Sequence, residues 1–312
     1  MTNPNKYSEE WYAENGDTFG HRNPVMALKH GWPVRLSKSA FMTYLSCPRK
    51  YWWDNVVGLR GPPNWYMTHG IAVHTCLENL YGNWTDESPE DLRPLMDSDW
   101  KGNEDYEVYE HEGVVDALAE LEAERLKRWG AEHFAPVEFE VKHVIPHPDH
   151  PFTLVGMIDG VHRHPDGGLV ITELKTGKAS KSKMTKTRKE LCYYRYMLSL
   201  LGWDEAIYFY YLFPECENID LYLELEGKKN TEVWLGTEKG MAVLEKVSSR
   251  SVTAMHKSLN ATCEGIVATQ WPQKWNDWFC TEWCEYSMSC ESEQIGLEPD
   301  PTVLYSGDKE WT

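Results

Sequence analysis

Two carboxylates and a lysine near the middle of the chain have the types and spacing for phosphodiester hydrolysis. They lie in VGMIDGVHRHPDGGLVITELKTGK, residues 155–178, where Asp159 precedes Glu173-x-Lys175. The run Phe152 to Val161 is rich in β-branched and aromatic residues, Asp166-Gly167-Gly168 is turn chemistry, and Leu169 to Lys175 alternates, so the stretch predicts a β-hairpin. Side chains on a strand repeat with period two, which puts Glu173 and Lys175 on one face with Leu169 and Ile171 in the same row. If Asp159 closes the first strand beside the end of the second, its carboxylate and that of Glu173 converge on one divalent cation. Oxygen ligands suit Mg2+ or Mn2+. Lys175 would then hold a phosphate oxygen or the attacking water as negative charge builds. The same residues also read as a surface hairpin whose Glu–Lys pair contributes little.

A second set of chemically able residues is WFCTEWCEYSMSC, which holds Cys280, Cys284 and Cys290. Three thiols this close have metal-ligand spacing, but zinc and iron-sulfur sites take four ligands. Cys76, Cys192 and Cys263 fall in apolar or helical contexts, where a thiol behaves as a small hydrophobe. Cys47 differs, because Pro48-Arg49-Lys50-Tyr51 follows it with polar neighbours at a helix end.

The surrounding elements must position these groups. Ser37 is a candidate N-cap for a helix carrying Phe41, Tyr44 and Leu45, which Pro48 ends or kinks, and a short helix through Tyr51, Trp52 and Trp53 follows. After the Gly61-Pro62-Pro63 break, Thr68 to Tyr81 is helical, with His74 and Glu78 on one face. Thr85 to Glu110 is acidic and poor in aliphatics, and reads as an insertion or exposed loop. Glu112 to Phe134 is amphipathic, with Val115, Leu118, Leu121, Leu126 and Trp129 as its stripe. Val137–Ile145, Phe152–Val161, Leu169–Lys175, Ala206–Phe213 and Ile219–Leu225 read as strands, and Lys186–Leu201 and Thr237–Leu259 as helices. The first thirty or so residues show no period. This order predicts a mixed α/β (α+β) fold, a central mixed sheet flanked by helices, in place of an alternating doubly wound one.

The 312 residues carry a net charge of -18, which at first sight argues against nucleic acid. Its distribution softens that: acids crowd Asp86–Glu124 and Glu282–Asp308, whereas Lys175, Lys178, Lys181, Lys183, Lys186, Arg188 and Lys189 form a run without an acid until Glu190. A local basic strip can bind a phosphate backbone while the rest of the surface stays acidic, and its bland alternative is a solvated loop. No apolar run is long enough to span a membrane and the N-terminus lacks signal-peptide order, so the expected location is the cytoplasm, without disulfides.

Taken together, Ser37-x-Ser39, Tyr44, Cys47-Pro48-Arg49-Lys50-Tyr51, Gly70-x3-His74, Gly156-x2-Asp159, Glu173-x-Lys175-Thr176-Gly177 and the three late cysteines stand in one order. That order resembles the RecB-like branch of the PD-(D/E)XK nucleases, closest to its iron-sulfur members, the CRISPR-associated Cas-four-type exonucleases and AddB-like nuclease domains. The resemblance spans roughly Leu36 to Cys290. It implies a restriction-endonuclease-like core in which a [4Fe-4S] cluster on Cys47, Cys280, Cys284 and Cys290 joins the N-terminal helical part to the C-terminal segment. It also implies His74, Asp159, Glu173 and the backbone carbonyl of Leu174 as metal ligands, with Lys175 as the catalytic lysine. The family's Q-x3-Y element near DNA corresponds to Glu190-x3-Tyr194, so Tyr194 matches and Glu190 replaces the glutamine. The spacing between Cys280 and Cys284 is one residue longer than the family's usual one.

The implied organisation is an N-terminal extension (1–35), a helical region with the first cysteine and the histidine (36–135), the nuclease core (136–230), a C-terminal helix with the cysteine cluster (231–295) and an acidic tail (296–312). The expected function is a metal-dependent exonuclease on DNA that is single-stranded or has frayed ends, serving repair, recombination or CRISPR adaptation, in a prokaryotic or phage setting. Lys178, Lys181, Lys183, Lys186, Glu190 and Tyr194 are its expected DNA-binding residues. The rival reading is a DNA-binding scaffold subunit of a recombination or CRISPR-adaptation complex that cuts weakly or not at all.

Overall fold

A computed structural model describes residues 19–59, 65–85, 87–88, 91–102, 106–203, 205–216, 218–236 and 240–294. The Gly61-Pro62-Pro63 break, the acidic tail 296–312 and the start of the N-terminal extension lie outside them. The chain divides into two discontinuous units, residues 1–62, 144–155 and 256–312, and residues 63–143 and 156–255.

Helix α1 (Pro24–His30) begins where the Asn23 side chain accepts from the N–H groups of Val25 and Met26, and leads to strand β1 (Val34–Ser37). Ser37 accepts from the Ala40 N–H and so caps α2 (Lys38–Ser46), a device of about 1 kcal/mol. Pro48 opens α3 (Pro48–Trp52), where its missing N–H is no loss, and a π turn over Trp53–Val57 follows. Next come α4 (Trp65–Asn83) and α5 (Val108–Trp129), whose first turn closes as Glu110 accepts from the Glu107 N–H. Gly130, at φ 79, separates α5 from the single turn α6 (Ala131–Phe134), so Glu112–Phe134 is not one helix. Strands β2 (Val141–Pro146), β3 (Phe152–Ile158), β4 (Gly160–Arg163) and β5 (Leu169–Leu174) lead to α7 (Lys181–Leu200), capped by Ser180. The remainder is β6 (Ala206–Phe213), α8 (Ile219–Glu226), β7 (Thr231–Leu235), β8 (Met241–Lys246), α9 (Ser249–Val267), α10 (Asp277–Glu282) and α11 (Ser287–Gln294). None of the described helices is long and apolar enough to cross a membrane.

The first unit contains β1, paired in parallel with the first residues of β3, Val34 opposite Phe152 through Ser37 opposite Val155. Helices α2 and α3 follow that strand directly. The second unit contains a five-stranded mixed sheet in the order β4-β5-β6-β8-β7, antiparallel except for the parallel pair β5–β6. One face of it packs Val170, Leu174, Tyr210, Leu212 and Leu244 against Val73, Leu77 and Leu80 of α4 and Leu118 and Leu121 of α5. Period two turns Leu169, Ile171 and Glu173 to the other face, and α7 packs against β5 and β6. Inside this core the fully buried Arg125 pairs with Glu122 at 2.7 Å, and the Tyr81 and Tyr210 hydroxyls donate to the same carboxylate at 3.0 and 3.1 Å. Removing either charged partner would strand the other, at a cost of about 3–5 kcal/mol.

The structure corrects several sequence expectations. Phe152–Val161 is two strands broken at Asp159: β3 joins β1, and the hairpin is β4 with β5, Gly160 opposite Thr172 and Arg163 opposite Leu169. Ile219–Leu225 is a helix, because Asn218 caps it and Leu221 and Leu225, one turn apart, are the buried pair while Ile219 and Leu223 are exposed. Thr237–Leu259 is not a single helix: Met241–Lys246 lies between two antiparallel neighbours, and α9 starts only at Ser249. The acidic stretch after Thr85 is not wholly exposed either, since Leu92 and Met96 belong to the core and Val108 already begins α5. The first thirty residues include helix α1.

Candidate active site

Asp159 occupies the break between β3 and β4, buried, and its Oδ2 accepts the Leu174 N–H at 2.7 Å. The end of β5 therefore orients the acid. From α4, His74 brings Nδ1 to 3.8 Å from Asp159 Oδ1 and 3.2 Å from Glu140 Oε1. One donor atom from each of these three residues falls within 4.8 Å of the others. Glu140 stands just before β2 at φ 49, a left-handed conformation uncommon outside glycine, and its N–H donates to the Asp159 carbonyl at 3.4 Å. Such a conformation costs on the order of 1–3 kcal/mol and persists only where the surroundings enforce it.

The electrostatics of this group favour positive charge. Burial opposes a proton on His74, but Asp159, Glu140 and Glu173 outweigh it and push the imidazole up to about 9. Burial, together with Glu140, also raises the carboxyl of Glu78, one turn further along α4.

Glu173 is buried on the face opposite Leu174, and its Oε1 accepts from Lys175 Nζ at 2.5 Å. The same ammonium donates to Glu190 Oε2 on α7 at 2.9 Å. Glu190 thus stands against the lysine, in the site. Tyr194, one turn on and buried, has its hydroxyl pushed up by burial and by Glu173 and Asp159. Gly156 makes that approach possible, since a Cβ there would meet Tyr194 Cε1 at 2.7 Å. Gly70 plays a milder part on α4, where a Cβ would lie 3.4 Å from the Thr176 hydroxyl.

The basic run does not behave as one loop. Lys181, Lys183 and Lys186 lie on α7, Lys181 pairs with Glu224, and Arg188 pairs with Glu245 at 2.9 Å. Burial and the neighbouring Lys175 pull the Lys183 ammonium down, and its Nζ would touch a Cβ at Gly177. Lys178 and Lys186 are exposed.

The first unit holds the other cluster. Cys47, Cys280, Cys284 and Cys290 all line one cavity of about 430 Å³. Short helices bring them there: Cys47 caps α3, Cys280 sits in α10, Cys284 just follows it, and Cys290 sits in α11. Lys50–Glu285 at 2.5 Å and the Arg49–Glu293 pair tie α3 to the C-terminal segment. Trp53 packs with Cys284 and Tyr286, and Trp52 flanks them, so these two tryptophans serve a small core in this unit. No three of the thiols come within 4.8 Å of one another, and burial pushes the Cys284 thiol up to about 11. Cys76, Cys192 and Cys263 are buried, as their contexts predict, and so is Cys216.

Of the sequence-predicted ligands, the structure brings His74 and Asp159 together, with Glu173 beside them on Lys175 and with Leu174 contributing its N–H. Glu140 is the addition that sequence reasoning missed. It lay inside an expected strand, Val137–Ile145, and the one signal was an acid in the apolar alternation of Phe139-Glu140-Val141.

A sequence model of the PD-(D/E)XK nuclease superfamily matches residues 35–291. No curated protein matches the chain. Among solved structures, the chain is similar to one titled "Crystal structure of SSO0001", at 12% identity and a TM-score of 0.35 over 83% of this chain and 86% of that one. A likeness this distant carries no argument about activity.

Proposed function

From the premise that this chain belongs to the PD-(D/E)XK nuclease superfamily, a family of metal-dependent nucleases, we propose that it is a deoxyribonuclease acting as an exonuclease on single-stranded or frayed DNA ends. The observation that carries this reading is the His74–Glu140–Asp159 donor group set beside Glu173 and Lys175. One imidazole nitrogen and two carboxylates, in surroundings that favour positive charge, fit Mg2+ or Mn2+. Such an ion supplies Lewis-acid polarisation of the phosphate and a more acidic water. His74, Asp159 and Glu140 would hold it, with Glu173 and the Leu174 carbonyl as the further expected ligands. Lys175, fixed by Glu173, donates to the attacking water or to a phosphate oxygen as charge develops. The exposed Lys178, just before α7, and Lys186 on α7 would follow a phosphate backbone, with Lys183 close to Lys175.

The test is an assay on end-labelled single strands with manganese, with magnesium and with chelator. Mononucleotides or short products released only with metal support the reading. Internal cuts alone, or metal-independent cutting, would refute the exonuclease.

In the same reading Cys47, Cys280, Cys284 and Cys290 hold a structural [4Fe-4S] cluster. Their shared cavity supports this. Recombination or CRISPR-adaptation proteins are the partners this family resemblance suggests. The scaffold reading keeps one observation in its favour: two carboxylates, Glu173 and Glu190, hold Lys175 at once.

A further inference from the structure

Helix α4 presents more than His74 to the site. Residues 67, 71, 74 and 78 follow one another at helical spacings of four, three and four, so Met67 and Ile71 share the face of His74 and Glu78. The core takes the opposite side through Val73, Cys76, Leu77 and Leu80. Met67 and Ile71 are left 58% and 66% exposed, and Tyr66 beside them 58% exposed. Tyr66 stacks on Trp65 with ring centroids 3.7 Å apart, and Trp65 in turn lies 5.1 Å from Tyr106. Large apolar side chains gathered on one exposed helix face mark an interaction surface.

Chemistry and position select the occupant. The charged groups of this face, His74 and Glu78, sit at one end of it, so the half formed by Met67 and Ile71 offers nothing to a phosphate. It offers flat and aliphatic surface to a base. At 1.5 Å rise per residue, Ile71 lies about 4.5 Å and Met67 about 10.5 Å along the axis from His74. Stacked bases repeat every ~3.4 Å, so the face covers two or three nucleotides beside a phosphate held at the metal group. A paired base keeps its faces inside the duplex, whereas an unpaired one exposes them, and stacking on protein side chains is tolerant of sequence.

We propose that Met67 and Ile71, flanked by Tyr66, form the platform on which unpaired bases next to the scissile phosphate stack, and that this platform makes the enzyme select single-stranded ends. The inference rests on the nuclease reading and adds its substrate determinant. The phosphate is located by the metal group and Lys175. The choice between paired and unpaired strand is made by α4.

The test compares wild-type protein with Met67→Ser/Ile71→Ser and with Met67→Leu/Ile71→Leu, on single-stranded and fully paired ends, and follows 2-aminopurine fluorescence at the terminal three nucleotides in a Lys175→Ala background. The serine pair should raise KM for the single strand about tenfold, the scale of one lost base stack, with little change in kcat. It should lower the ratio of single-strand to duplex cleavage and abolish the fluorescence quenching, while the leucine pair retains both. Because both residues are exposed, the melting temperature should not move, and Ile71→Trp should deepen the quenching. Wild-type kinetics and quenching in the serine pair would overturn the platform while leaving the nuclease intact. Quenching by a protein that never cleaves would instead overturn the nuclease reading and keep the base contact. A shift from dimer to monomer in sedimentation, caused by the serine pair alone, would assign the face to a second copy of the chain and overturn the proposal.

Discussion

The two candidate inorganic sites are built in opposite ways. The His74–Glu140–Asp159 group hangs on a long helix and on strand ends, with Asp159 oriented by a backbone N–H and Glu140 held in a left-handed turn, so its donors already lie within 4.8 Å of one another. The four cysteines hang on helices of five to eight residues, and no three thiols converge to that distance although all face one cavity. A preorganised site can exchange its ion and do chemistry. Were a cluster to bridge the four cysteines, its binding free energy would become folding free energy and the site would work as a staple.

That contrast breaks if the two sites fail in the same way. The largest effect expected is on rate: Lys175→Ala should reduce cleavage by about a hundredfold or more in single-turnover assays, with manganese binding and melting temperature unchanged. A wild-type rate in that variant would remove the catalytic strand from the chemistry. Next, Cys47→Ser should lose the brown absorption near ~400 nm and lower the melting temperature by on the order of 10 °C, with a much smaller change in cleavage per folded molecule. Stoichiometric zinc in colourless wild-type protein would reassign the staple.

Two smaller effects sharpen the comparison within the catalytic unit. Glu140→Gln should weaken manganese binding about tenfold in calorimetry without touching the cluster absorption, and an unchanged affinity would return Glu140 to a purely structural role. Glu190→Gln removes a negative charge 2.9 Å from Lys175. It should tighten DNA binding about two- to fivefold in fluorescence anisotropy at low salt, where one fewer like charge faces the phosphates. Weaker binding would mean that Glu190 orients the lysine for its substrate.

Local chemistry was readable wherever neighbours along the chain decide it. Ser37 caps its helix, Pro48 ends that helix, Asp166-Gly167-Gly168 turns the hairpin, and Glu173 and Lys175 share a face, all from spacing alone. Short apolar alternations were not readable. Ile219–Leu225 satisfies a strand pattern and a helix pattern together, and Met241–Lys246 becomes a strand only because β6 and β7 flank it.

The amino-acid order by itself pointed to groups able to do chemistry: Asp159, Glu173 and Lys175 on one strand system and a late cysteine triplet, with His74 added by the family resemblance. Only the tertiary structure decided which of them meet. Glu140 joins His74 because a left-handed residue at the edge of β2 is tied to the Asp159 carbonyl, and Glu190 joins Lys175 because α7 packs back on β5. Both contacts bring together residues 66 and 15 positions apart. Periodicity reports which face a side chain takes on its own element, and it carries no information about the element packed opposite.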